Sequence, residues 1–197
     1  GIMTLDTSKS IEACAARYGD EAAAMRSYLV AGERRALELN NRGPIRFDEN
    51  GRLAEAIASA YSRYGFYVFE KVLSDAELED LKEDLSLMRA TFPAEPGGKL
   101  TPEGLPALGA NSKSLNLLWS KPLGDPLGGT KLANGRHQVK LFEPEADRGA
   151  PEQVPFILLG SLQHSEACLR VYGHPQLLQV AASINGDDFA PFNESLF

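Results

Sequence analysis

The stretch that decides the fold is residues 64–74, which read YGFYVFEKVLS. Gly65 predicts the end of a helix, because glycine adopts the left-handed backbone conformation at little cost. Residues 66–69 are aromatic or β-branched, which is typical of a β-strand. Ser74 stands three residues before Glu77, and this spacing predicts a capping box at the start of a helix. The stretch therefore predicts a helix end, a strand and a second helix start.

The helices on either side are predicted from the spacing of their apolar residues. Upstream, a turn at residues 47–51 precedes a helix that ends at Gly65, and its apolar positions are Leu53, Ile57, Tyr61 and Tyr64. The capped helix downstream ends near residues 92–93, and its apolar positions are Leu78, Leu81, Leu85 and Met88. We interpret both stripes as surfaces that pack into a core.

The first part of the chain differs from the rest in composition. Residues 8–41 contain no proline and carry apolar residues at helical spacing, which predicts a pair of amphipathic helices. The Asn- and Gly-Pro-containing stretch at residues 40–44 predicts a linker. We therefore expect a helical extension at residues 1–43 and a second domain at residues 44–197.

Residues 93–135 alternate prolines with glycines, which predicts a long irregular loop of the kind that serves as a functional loop or lid. The apolar cluster at residues 115–119 predicts that part of this loop packs against the core. Residues 137–142 alternate in polarity and predict a strand.

The last part of the chain predicts a helix, a second helix and a strand. The first helix covers roughly residues 157–171, and Gly173 interrupts it. Pro175 suits the first position of the next helix, and Gly186 suits the position after its end. Residues 189–197 predict a final strand.

Composition and charge exclude several classes of protein. The chain has 197 residues, of which 43% are hydrophobic and 24% charged, as expected for a folded globular protein. The formal net charge of -7 disfavours nucleic-acid binding, because the phosphate backbone is itself negative. No apolar run reaches the about 20 residues of a membrane-spanning helix. Cys14 and Cys168 lie far apart without a CxxC partner, which argues against a disulfide scaffold and favours the cytoplasm.

The histidines are the main candidates for metal or substrate contact. His164 and Glu166 have the H-x-E spacing that would point both side chains the same way on a strand. Because the surrounding pattern predicts a helix, we favour a surface histidine and assign no metal ligand. His174 is interpreted as a helix-entry residue. His137 is a candidate substrate-binding residue, and the alternative is an ordinary polar strand residue.

Three segments together resemble the phytanoyl-CoA dioxygenase family of Fe(II)/2-oxoglutarate oxygenases. The first is the stretch at residues 64–74 with the capped helix after it. The second is residues 139–143, and the third runs from Gly173 through Pro175 and Gly186 to the final strand. The order and spacing of the three carry the resemblance, which covers about residues 45–197.

The resemblance implies an α+β chain whose core is a double-stranded β-helix of the jelly-roll or cupin type, with flanking N-terminal helices. It implies hydroxylation of a small organic substrate while 2-oxoglutarate is decarboxylated to succinate. In the family, Fe(II) is held by two histidines and one carboxylate that follow the last strand seen here, so no residue of this chain is assigned as catalytic. We expect the N-terminal half of the domain, with a complementary chain or a second copy covering its open sheet.

Strand alternation selects candidate cofactor-binding residues. In the final strand, Asn193, Ser195 and Phe197 share one face, and Glu194 and Leu196 share the other. The resemblance implies that the first face lines the 2-oxoglutarate pocket, with Asn193 as the first candidate and Ser195 as the second. The alternative for both is an ordinary polar strand residue.

The rival hypothesis about function is a truncated, non-catalytic relative that acts through binding or oligomerisation and holds neither iron nor 2-oxoglutarate. Under that hypothesis the Pro/Gly-rich loop and the open strand edges are its interaction surfaces.

Overall fold

The computed structural model describes residues 18–112, 116–122, 146–191 and 194–196. The chain divides into two compact units, with boundaries after residues 39, 119 and 154. In the first unit, helix α1 spans Ala22–Glu38 and follows a single 3₁₀ turn at Gly19–Glu21. The earlier helix of the predicted pair lies outside the described residues.

The second unit begins with a strand where a linker was predicted. Strand β1, Arg42–Gly43, pairs in parallel with β2, Val68–Phe69. Asn41 is only 2% exposed, its carbonyl accepts a hydrogen bond from the Val68 N–H at 2.9 Å, and its side-chain amide donates to the Phe66 carbonyl at 3.3 Å. Residues 42–43 of the predicted linker thus form a strand, because pairing with a distant segment overrides local turn composition. A boundary between the two units lies beside this stretch, after residue 39.

Helix α2 spans Glu55–Tyr64 and ends at Gly65, whose φ of 81° confirms the predicted left-handed helix end. The turn before α2 is also confirmed. The Asp48 carboxylate accepts hydrogen bonds from the N–H groups of Asn50 at 2.9 Å and Arg52 at 3.0 Å. This local bonding is the common turn-forming behaviour of aspartate.

Helix α3 spans Asp75–Ala90, and its predicted capping box is present. The Ser74 hydroxyl accepts a hydrogen bond from the Glu77 N–H at 3.2 Å, and the Glu77 carboxylate accepts one from the Ser74 N–H at 2.7 Å. The bonds from Ser74 lower the pKa of Glu77, because they favour the charged carboxylate. The predicted strand before α3 is confirmed only at β2, the last two of residues 66–69.

A three-stranded sheet has the order β3-β4-β5, and its strands are Asn116–Ser120, Val154–Leu159 and Ser195–Leu196. Strands β4 and β5 are antiparallel, and the paired residues are Leu158 with Leu196 and Leu159 with Ser195. Of the predicted final strand at residues 189–197, only β5 is a strand among the described residues.

The predicted helix at residues 157–171 is confirmed only from Glu166 onward and is wrong before it. This stretch contains the end of β4, a 3₁₀ turn at Ser161–Gln163 and most of helix α4, Glu166–Tyr172. Gly160 separates strand from turn with φ 80°, and the Ser165 side chain caps α4. A short apolar run does not by itself distinguish a buried strand from a buried helix, which explains the error.

Helix α5 spans Pro175–Asn185 and confirms the prediction from Pro175 and Gly186, the residue that follows the helix. His174 is the helix-entry residue, as predicted. Its Nδ1 accepts a hydrogen bond from the Gln176 N–H at 3.2 Å.

Two apolar cores hold the second unit together. The first core is formed by the buried residues Leu53, Ile57 and Val180, with Ile45, Phe47, Ala54, Tyr67 and Phe69 packed against them. The second core is formed by the buried residues Met88, Leu158 and Cys168, with Leu81, Leu85, Phe92, Leu108, Leu117, Leu162 and Leu196 packed against them. The first core joins α2 to α5, and the second joins α3 and α4 to the three-stranded sheet.

The described part of the Pro/Gly-rich loop is folded. Leu100 and Pro106 form an isolated antiparallel bridge, and the hydroxyl of the buried Thr101 accepts a hydrogen bond from the Leu105 N–H at 3.2 Å. Leu117 packs in the second core, which confirms that part of the region packs down. The predicted strand at residues 137–142 lies outside the described residues.

The described residues form helices and two small sheets, so the α+β class is confirmed. Within those same residues, every helix is too short or too polar to cross a membrane.

Candidate functional site

The candidate site is the face of the three-stranded sheet that carries Ser195. Directly paired residues of neighbouring strands point to the same face, so Ser195 shares its face with Leu159 and, two residues earlier in β4, with Ile157. The neighbouring pair, Leu158 with Leu196, points to the other face and belongs to the second core. The sheet therefore has one face turned to helices α3 and α4 and one turned away from them, and Ser195 lies half-buried on the latter.

Two of the three predicted site residues, Asn193 and His137, lie outside the described residues. The structure consequently assigns a position to Ser195 alone, and the grouping of the three residues stays a prediction.

A polar pair lies where β4 ends and β5 begins. The Ser161 hydroxyl donates a hydrogen bond to the Glu194 carboxylate. Ser161 is 3% exposed and Glu194 is half-buried. This pair was not predicted from the sequence, because no periodicity links two residues 33 positions apart. The local sequence offers only the glycine before Ser161 and the charge of Glu194 as hints of a polar contact.

A second polar cluster joins α3 to the start of α4. The Asp84 carboxylate accepts hydrogen bonds from the Ser165 hydroxyl at 2.6 Å and from the Ala167 N–H at 3.2 Å. The Ser165 oxygen in turn accepts one from the Cys168 N–H at 3.0 Å. The bonds from Ser165 and Ala167 lower the pKa of Asp84, because they stabilise its charged form.

This Asp84–Ser165 cluster is structural rather than nucleophilic. Ser165 is 4% exposed, and its hydroxyl both donates a hydrogen bond to Asp84 and accepts one from the Cys168 N–H. A carboxylate with a lowered pKa is also a weak base for activating a hydroxyl. The cluster therefore caps α4 and fastens it to α3.

The described residues do not supply a metal site. His164 follows the 3₁₀ turn, whereas Glu166 is the first residue of α4 with a side chain 93% exposed and 3.8 Å from Arg170. Across the described parts of the chain, no three His, Cys, Asp or Glu side chains form a group that could hold a metal ion. The ligand set that the resemblance implies for Fe(II) does not fit these residues, and no reaction step is derived through the metal.

Charged side chains near the start of α3 form an exposed network. Arg170 lies 3.4 Å from Asp80, with both side chains more than half exposed. Arg170 and His174 also make small contributions to the lowered pKa of Glu77. Exposed ion pairs of this kind contribute little to stability, so we do not treat the network as a site.

Comparison of the chain with protein-family models, with curated proteins and with solved structures gave no match.

Proposed function

We propose that the chain forms the N-terminal part of a cytoplasmic Fe(II)/2-oxoglutarate-dependent oxygenase of the phytanoyl-CoA dioxygenase type, which hydroxylates a small organic substrate. The finer fold in this proposal is a double-stranded β-helix whose remaining strands lie outside the described residues. The metal ligands in this proposal also lie outside the described residues. A complementary chain or a second copy covers the open sheet.

The observation that carries the proposal is the two-faced sheet at β4 and β5. Leu158 and Leu196 lie on the face that packs in the second core, which places Ser195 on the opposite face, beside Leu159 and the buried Ile157. A hydroxyl there can donate a hydrogen bond to a carboxylate, the group that 2-oxoglutarate presents at both ends. The surrounding landmarks support the proposal, since Gly65, the capping box and the proline-started α5 all occur in the order that the resemblance implies.

Intact mass spectrometry combined with titration tests this proposal. The purified material, with anything that co-purifies, is titrated with Fe(II) and then with 2-oxoglutarate by calorimetry. Binding of both, with a co-purifying polypeptide that carries an H-x-D sequence, is the expected result. A single 21.4 kDa species that binds neither would refute the oxygenase hypothesis for this polypeptide.

The alternative, a non-catalytic binding protein, is favoured by one specific observation. Leu100 and Leu105 are 54% and 63% exposed although they flank a hydrogen-bonded turn. Apolar side chains held outward by a folded loop are common at interaction surfaces. The same titration separates the two functions, because a binding protein takes up neither Fe(II) nor 2-oxoglutarate.

A further inference from the structure

The bond between Ser161 and Glu194 occupies a special position in the β4–β5 ladder. Among the described residues, the ladder pairs Leu158 with Leu196 and Leu159 with Ser195. In this register the next pair would be Gly160 with Glu194. Gly160 instead turns out of the strand with φ 80°, and the following residue, Ser161, donates its hydroxyl hydrogen bond to Glu194. A side-chain bond thus continues the pairing one step beyond the last backbone pair.

The register of β5 decides which side chains face the candidate pocket. A shift of one residue in a strand moves every side chain to the opposite face. In the observed register Leu196 packs in the second core and Ser195 lies on the opposite face. The bond from the buried Ser161 adds to the two described residue pairs at the Gly160 end of the ladder, and it opposes such a shift because a shifted β5 would move Glu194 away from Ser161.

We propose that Ser161 and Glu194 form a register clamp, a side-chain bond that fixes which residues of β5 pair with β4. The clamp thereby keeps Ser195 on the candidate cosubstrate face, and the assignment of that face to 2-oxoglutarate rests on the proposed function. By alternation Glu194 lies on the face opposite to Ser195, so the clamp itself does not contact 2-oxoglutarate. Both members are positioning residues, and they act by holding Ser195 on the face opposite to Leu196.

The first measurement is hydrogen exchange at the backbone amides of β5. Ser161→Ala removes the donor, whereas Ser161→Thr keeps a hydroxyl and Glu194→Gln keeps an acceptor oxygen. Losing a hydrogen bond to a charged group is expected to speed exchange of the β5 amide that donates to β4 by about tenfold. Ser161→Thr is expected to stay within about threefold of the wild type. Glu194→Gln loses the charge and is expected to fall between Ser161→Thr and Ser161→Ala. Glu103→Ala, in an exposed turn, is the matched control and leaves the exchange unchanged.

The second measurement is the affinity for 2-oxoglutarate in the presence of Fe(II). Ser161→Ala is expected to weaken it by about tenfold, and Ser161→Thr to restore it. Restoration by a retained hydroxyl separates positioning from a general loss of stability. If Ser161→Ala does not fold, Glu194→Ala replaces it, because Glu194 is only half-buried.

The outcomes distinguish the clamp from the proposed function. Unchanged exchange of the β5 amides in Ser161→Ala overturns the clamp. Faster exchange with unchanged affinity for 2-oxoglutarate overturns its positioning role. A wild type that does not bind 2-oxoglutarate refutes the proposed function instead, and the exchange measurement then decides on the clamp alone.

Discussion

The two cores of the second unit are fastened by different kinds of hydrogen bond. At the first core, the Leu53 N–H donates to the Ser183 hydroxyl at 3.1 Å, and both partners are neutral. At the second core, the acceptors are the carboxylates of Asp84 and Glu194. Protonation changes a carboxylate but leaves a serine hydroxyl as it is. We therefore expect the stabilisation from the Ser183 bond to be independent of pH and that from the Asp84 bonds to be lost in acid, because those bonds hold the pKa of Asp84 below its ordinary value.

The largest expected effect is the loss of packing in the first core. Ile57 is 1% exposed, so Ile57→Ala removes three carbons from a closed environment. The free energy of unfolding is expected to fall by about 3 kcal/mol, and chemical denaturation at pH 7 measures it. Leu87→Ala, at a residue 62% exposed, is the control and is expected to cost less than about 0.5 kcal/mol.

If the two variants lose equal stability, the first core is not packed as the structure shows. The comparison of the cores also requires that the Ile57→Ala cost be the same at pH 7 and at pH 4, because the residues of this core include no carboxylate and no histidine.

The second prediction concerns the charge of Asp84. Asp84→Asn keeps an acceptor oxygen for Ser165 and Ala167 but removes the negative charge. Charge-assisted bonds are stronger than neutral ones, and at pH 7 the variant is expected to lose about 1.5 kcal/mol of unfolding free energy. Denaturation of both proteins as a function of pH measures this difference.

The pH dependence follows from the direction of the pKa shift. The pKa of Asp84 in the folded protein is lowered below its ordinary value of 3.8, first by the Ser165 hydroxyl and then by the Ala167 N–H. A lowered pKa gives a stabilisation that is complete above the ordinary value and is lost as the pH falls through the folded one. The difference between wild type and Asp84→Asn should therefore shrink below about pH 4. A difference that grows on acidification would contradict the assigned bonds.

Much of the helical framework could be predicted because its signals are local. Gly65 ends its helix and the Ser74–Glu77 capping box starts one through bonds within a single helical turn. Each signal can therefore be recognised from about four consecutive residues. Strand β1 at Arg42–Gly43 could not be predicted, because its partner β2 lies about 25 residues away and residues 40–44 have a turn-forming composition. The boundary at Gly160 was missed because a short apolar run fits a strand and a helix equally well.

The candidate site was less predictable than the framework. Alternation along a strand places Ser195 and Leu196 on opposite faces without any knowledge of the partner strand, and the structure has them so. The partners of Glu194 and Asp84 required the fold itself, since each accepts a hydrogen bond from a serine in a distant segment. Nothing in the local sequence around Ser161 or Ser165 distinguishes these serines from exposed ones.

The third prediction concerns the neutral hydrogen bond between Leu53 and Ser183 at the first core. Ser183→Ala leaves the Leu53 N–H without its acceptor, and the Ser183 hydroxyl no longer donates to the Gln179 carbonyl at 2.9 Å. The expected loss is about 1 kcal/mol. Denaturation at pH 7 and at pH 3.5 should give the same loss, in contrast to Asp84→Asn. A loss that changes with pH would show that the first core is coupled to a titrating group.

The smallest expected effect is at the exposed start of α3, where the capping box between Ser74 and Glu77 lies outside both cores. Ser74→Ala removes the acceptor for the Glu77 N–H, a bond on the surface of the helix start. The expected loss of unfolding free energy is about 0.5 kcal/mol, the lower end for a helix cap. Ser74→Asn, which keeps a side-chain acceptor, should restore it. The pKa of Glu77 is lowered first by the Ser74 backbone N–H, which Ser74→Ala keeps, and then by the Ser74 side chain, which it removes. NMR titration of that carboxyl in Ser74→Ala should therefore show its pKa moving part of the way back toward its ordinary value. An unchanged titration would mean that the Ser74 side chain does not bond to Glu77 in solution.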